Sequence, residues 1–112
     1  MNVSYEGIGY LAVTFPAGSC VAGQVCKLNT QGHADKCSDG EAFCGFTEAV
    51  DGQRAAVQLQ GFLEVGYTGT APACGFAKLS SNGNGGVKAD SAGREYLVAQ
   101  VNTTTSKVII KL

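Results

Sequence analysis

The side chains best suited to chemistry are Cys26, His33, Cys37 and Cys44, which form Cys-x6-His-x3-Cys-x6-Cys. Zinc accepts thiolate and imidazole ligands in a tetrahedron, so the residue types fit a metal site. The spacing does not match a zinc knuckle or finger, and His33 is the only histidine in the chain. His33 and Cys37 could also serve as base and nucleophile, but such a pair needs direct contact and a third group to orient the base. Four positions apart on a strand they share a face yet stand too far apart to touch. No metal ligand set is expected.

Other constellations are weaker. Gly7-Ile8-Gly9-Tyr10-Leu11-Ala12 matches Gly-x-Gly-x-x-Ala. A dinucleotide fingerprint, however, needs a strand before it and a helix after it, and neither pattern is present. Asn82-Gly83-Asn84-Gly85-Gly86 has the glycines of an anion-binding nest but no following Lys-Ser/Thr, and reads as a hairpin tip. Asp35, Asp39, Glu41, Glu48 and Asp51 cluster in sequence around turns. Acid–base pairing or calcium binding would require them to converge, and nothing in their spacing demands it. Lys88 follows a Gly-rich turn as in lipoyl and biotinyl carrier hairpins, without the flanking residues of either.

The five cysteines, Cys20, Cys26, Cys37, Cys44 and Cys74, are odd in number and include no Cys-x-x-Cys. Their apolar neighbours suggest small buried hydrophobes, with one or two disulfides only under oxidising conditions.

The elements that must position these residues are strands. Ala55 to Val65, AAVQLQGFLEV, is the longest alternating run. Ala55, Val57, Leu59, Gly61, Leu63 and Val65 lie on one face, and Ala56, Gln58, Gln60, Phe62 and Glu64 on the other. A period of two predicts a half-buried strand, and Gly61 within it predicts a bulge or a close backbone approach. Phe62, on the otherwise polar face, either packs under a loop of the same chain or marks a subunit contact. Further strands are expected at Tyr10–Phe15, Gln24–Leu28, His33–Cys37, Glu41–Val50, Cys74–Leu79, Val87–Ala89, Glu95–Val101 and Lys107–Leu112. In the last, Val108, Ile110 and Leu112 face inward and Ile109 outward. Asp51-Gly52 is a tight-turn signal between two of them.

No 3.6-residue stripe persists anywhere. Short strands punctuated by turns indicate an all-β fold, a small single-domain β-barrel or sandwich. Residues 1–15 form an N-terminal arm or strand, and residues 16–112 the β-barrel domain. The 112 residues suit one domain. A net charge of −1 leaves no basic excess for nucleic acid or anionic lipid, so neither nucleic acid nor membrane is an expected partner. No targeting segment stands out, and a cytoplasmic start is expected.

From Pro16 onward the motif order resembles the small bacteriophage capsid-decoration (head-cement) proteins of the DUF2190 type. The likeness lies in Ala17-Gly18 with Val21, Gln24-Val25-Cys26-Lys27-Leu28, and Gly40 with Phe43-Cys44-Gly45-Phe46. It continues through Gly52, Val57-Gln58-Leu59-Gln60-Gly61, Cys74-Gly75-Phe76, Gly86-Val87 and the closing Val108-Ile109-Ile110-Lys111-Leu112. The resemblance implies a non-enzymatic structural protein without cofactor. Made in the bacterial host cytoplasm, it would belong to the virion, as a homotrimer on the outside of the expanded head. Its partner would be the major capsid protein. It also implies that Val3 to Phe15 orders on the capsid by strand addition, with Tyr5, Tyr10 and Phe15 as anchors. The alternatives are another β-module of a phage particle, tail-tube or fibre-associated, and a small Cys/His metal-binding protein.

Overall fold

The computed structural model describes Ser4 and residues 9–112. The fold is all-β, with ten strands and no helix among the described residues. These are β1 Leu11–Pro16, β2 Val25–Leu28, β3 Ala34–Lys36, β4 Gly45–Asp51, β5 Arg54–Gln60, β6 Phe62–Thr68, β7 Gly75–Ser81, β8 Val87–Ala89, β9 Arg94–Asn102 and β10 Lys107–Lys111.

They form two units. A five-stranded sheet has the order β1-β5-β4-β2-β3, and a closed barrel has the order β10-β6-β8-β7-β9. Every pairing within them is antiparallel except β6–β8. That exception arises because β8 returns from β7 as a hairpin, and so runs alongside β6 in the same direction. The open sheet curls until its two edge strands nearly meet. Ala17, just past β1, bridges Ala34 of β3, and Gly18 N–H donates to Ala34 O at 2.8 Å.

Alternation accounts for most of the burial. Ala55 and Val57 are buried in the open sheet, and Leu63 and Val65 in the barrel. The run Ala55–Val65 is, however, two strands and not one. Gly61 separates them with φ +99°, a conformation that side chains with a Cβ resist. The Tyr10 backbone crosses there, with its Cα 3.1 Å from where a Gly61 Cβ would stand. Of the two readings of Gly61 the close approach holds and the bulge does not, since the register shift of β1 against β5 falls at Leu59; Gly61 is the corner at which the chain leaves one sheet and enters the barrel.

Burial departs from simple alternation at three places. Gln58, on the polar face, is buried. Its Nε2 donates to the carbonyls of Gln60 at 3.0 Å and Phe62 at 3.1 Å, which holds the corner. Ile109 keeps its expected outward face, since Val108 and Ile110 on either side of it join the core, yet it is buried between its cross-strand neighbours Glu64 and Gln100. In β9 a bulge opposite Ile109/Ile110 shifts the alternation, so Tyr96 and Val98 face the core and then Val101 also packs against it. The tight turn is Gly52-Gln53, one residue later than the Asp51-Gly52 signal. Asp51 pairs with Arg54, and Gly52 takes φ +60°.

Two apolar clusters result. The larger one fills the barrel, where Leu63, Val65, Leu79, Val87, Val98, Val108 and Ile110 meet Val25, Cys37 and Phe43 from the other unit. Phe43 ties the units together, its ring stacked on Tyr96 with centroids 4.7 Å apart. The smaller cluster, Cys20, Cys26, Ala34, Ala55 and Val57, lies within the open sheet.

Candidate docking surface

The sequence-derived contact residues fall in different places. Tyr5 lies outside the described residues. Tyr10 is exposed at the entrance to β1, and its hydroxyl donates to the Glu48 carboxylate. That hydrogen bond, followed by burial and the Glu48 charge, raises the Tyr10 hydroxyl pKa above its ordinary value. Phe15 is half-buried, paired with Ala55, and packs on the smaller cluster. Phe62 is half-buried and lines a shallow hollow with Gly9, Gln60, Gly61 and Lys111. The Tyr10 backbone approaches Gly61, next to Phe62 in the chain, while the Tyr10 side chain reaches Glu48; Phe15 sits near the far end of β1 beside Arg54.

Strand β1 is an edge. It pairs with β5 on one side, and along Leu11–Pro16 its other side has no strand among the described residues. Leu11, Ala12 and Thr14 are exposed on it. Such an edge offers unpaired main-chain donors and acceptors to an incoming strand.

A second surface feature escaped the sequence reading. Phe76 is 74% exposed, far more than any other large apolar side chain described. It pairs with Leu97, Leu97 pairs with Lys111, and Lys111 pairs with Phe62. One row across the outside of the barrel, over β7, β9, β10 and β6, therefore reads Phe76, Leu97, Lys111, Phe62. The signal was present in the alternation: Gly75, Ala77 and Leu79 share one face, which places Phe76 with Lys78 on the other.

Of the Cys26, His33, Cys37 and Cys44 set the backbone brings Cys26 and Cys44 together, and the candidate carboxylates do not converge among the described residues. The clustered carboxylates each face a different partner. Glu41 pairs with Lys27 at 2.6 Å and Asp39 with Lys88 at 3.0 Å. Asp35 accepts from Ser19 N–H at 2.9 Å and Asn29 Nδ2 at 3.2 Å. The Lys27 ammonium, then the Ser38 N–H, hold Glu41 below the usual carboxylate range, and the same Glu41 contact raises Lys27. No group of three or more His, Cys, Asp or Glu side chains is placed to hold a metal ion among the described residues. All five cysteines are free thiols: Cys20, Cys26 and Cys37 are buried, Cys44 is half-buried, and Cys74 is exposed, against the expectation of burial.

The Asn82–Gly86 segment is a hairpin loop between β7 and β8. The Asn82 carboxamide oxygen takes up the N–H groups of Asn84 and Gly86, donors that an anion would otherwise need. The Gly7–Ala12 motif leads into β1, a strand and not a helix.

Compared with family models, curated proteins and solved structures, the chain matches none.

Proposed function

We propose that this chain is a structural capsid-decoration protein. It would bind the outside of an expanded phage head through strand addition at β1, and act without catalysis or cofactor. The observation that carries this reading is the open β1 edge, which the N-terminal segment enters directly. Main-chain ladder bonds to the major capsid protein would supply affinity there, and Tyr10 and Leu11, exposed at its start, would fill pockets beside it.

The Phe76–Leu97–Lys111–Phe62 row supports the accompanying homotrimer. It carries two aromatic rings and Leu97 around exposed Lys111, with Lys78, Glu95 and Lys107 also exposed on the barrel exterior. Trimers engage several head sites at once, so each contact can be modest.

The test is binding of the purified protein to expanded heads lacking decoration, followed by heating the heads. Saturable occupancy and a raised head-disruption temperature are expected. Failure to bind, with no gain in head stability, overturns the reading.

A further inference from the structure

Cys26 and Cys44 are held opposite one another by the backbone. β2 and β4 pair in the register Val25↔Phe46 and Cys26↔Gly45. Just before β4, Cys44 N–H donates to Cys26 O at 2.9 Å, one residue out of that register. Cys44 and Gly45 therefore both stand opposite Cys26, as at a β-bulge. A main-chain hydrogen bond between the two residues keeps their Cα atoms near the separation a disulfide bridges, about 4.4–6.8 Å. Gly45, next in the chain, packs against β5, where a Cβ would stand 2.5 Å from Gln58 O and 2.7 Å from Val57 Cγ1. The two thiols lie close enough for each to shift the other's titration.

We propose that Cys44 is a peroxide-reactive thiol and Cys26 its resolving partner, joined on oxidation as a reversible disulfide between β2 and the segment entering β4. The pair divides the labour by position. Cys44 is half-buried and reachable, and Cys26 is fully buried behind it.

The electrostatics support the same assignment. The Cys26 thiol, then the N–H groups of Cys44 itself and Leu28, and the Arg94 charge hold the Cys44 thiol down at about 7, against the opposing effect of burial. Cys26 is pushed far up by the Cys44 thiol and by burial, so it keeps its proton. The Thr47 hydroxyl, buried without a hydrogen-bond partner, opposes the upward shift of Cys26. Cys37, the third thiol nearby, is pushed up to about 11 by burial and points its S–H at Ala42 O, 3.8 Å away. Low thiolate pKa, access and an adjacent second thiol are the properties that mark redox-reactive cysteines.

The oxidant is a hydroperoxide. The Cys44 thiolate attacks the nearer peroxide oxygen, the O–O bond breaks, and hydroxide (or alkoxide) leaves. Sulfur is oxidised to the sulfenic acid as the peroxide is reduced. The Cys26 sulfur then attacks the Cys44 sulfur, the S–OH bond breaks, and the departing hydroxide takes the Cys26 proton to leave as water.

The experiment treats the reduced full chain with hydrogen peroxide near neutral pH, then alkylates it and maps the peptides without reductant. Expected is a Cys26–Cys44 disulfide, with the chain lighter by two hydrogens and restored by dithiothreitol. In Cys26→Ala the oxidation should stop at a Cys44 sulfenic acid that dimedone traps. In Cys44→Ser the cross-link should vanish. Pairing of Cys44 with Cys37, oxygen added at the exposed Cys74 alone, or an unchanged mass would each overturn the proposal. The wild-type map decides the matter even where a variant folds poorly.

Discussion

Tyr96 donates its hydroxyl to the Phe43 carbonyl at 2.8 Å while the two rings lie stacked, 4° from parallel. One residue belongs to the barrel and the other to the β3–β4 connection of the open sheet, so this contact joins the two units. Tyr96→Phe keeps the stack but leaves a buried carbonyl without its donor, a loss of about 1–2 kcal/mol. Phe43→Ala also removes the fully buried ring and should cost about 3–5 kcal/mol. Urea unfolding of both variants checks the order. A Tyr96→Phe effect as large as that of Phe43→Ala would show that the hydroxyl, and not the ring, joins the units.

The corner at Gly61 is the second structural dependence. Gly61→Ala must accept a positive φ and push against the Tyr10 backbone, a destabilisation of about 2 kcal/mol. Gln58→Ala frees the carbonyls of Gln60 and Phe62 together and should fall in the same range, about 1–3 kcal/mol. Because both changes act on one turn, the double variant should lose less than their sum. Full additivity in urea unfolding would contradict a shared corner.

Much of this fold was legible because side-chain alternation is local. Val57, Leu63, Val65, Val108 and Ile110 declare their faces within their own strands. What stayed hidden depends on partners far along the chain. Nothing around Gly61 says that the next strand joins a different sheet, because that choice is made by pairing β6 with β10 some forty positions on. The bulge at β9–β10 likewise exists only once the two strands meet, and it puts Val101 against the core out of phase with Val98. Cys26 and Cys44 looked like separate members of a metal spacing. Their relation is a ladder contact, which sequence distance does not encode.

Acid should weaken the loop between β1 and β2. The Ser19 N–H, with Asn29 behind it, holds the Asp35 carboxyl below its ordinary value against the opposing effect of burial. A depressed folded value means that this contribution is fully present above the unfolded value of about 3.9 and fades as pH falls through the folded one. Glu41 and Asp90 are depressed too, and act in the same direction. Asp35→Asn should therefore flatten the decline in stability below about pH 4. It should also lose one hydrogen bond at neutral pH, since Asn29 cannot turn its amide over: its Oδ1 already accepts from Gln31 and His33 N–H. Thermal melts across an acid series measure both effects. An unchanged acid slope would count against this carboxylate.

Phe76 separates surface function from stability. A side chain 74% exposed contributes little to folding, so Phe76→Ser should leave the urea midpoint nearly unchanged, within about 0.5 kcal/mol. Phe62, half-buried on the same row, should cost more when cut to Ala because more of its ring is already removed from water. If the row is where copies meet, Phe76→Ser shifts the protein toward monomer in sedimentation and lowers its occupancy on expanded heads, with no loss of fold. Large exposed aromatic rings are the side chains most able to anchor such contacts, because they desolvate much area with little entropy loss. A variant that folds, sediments and decorates as the wild type does would remove this row from the interface and leave β1 as the remaining docking element.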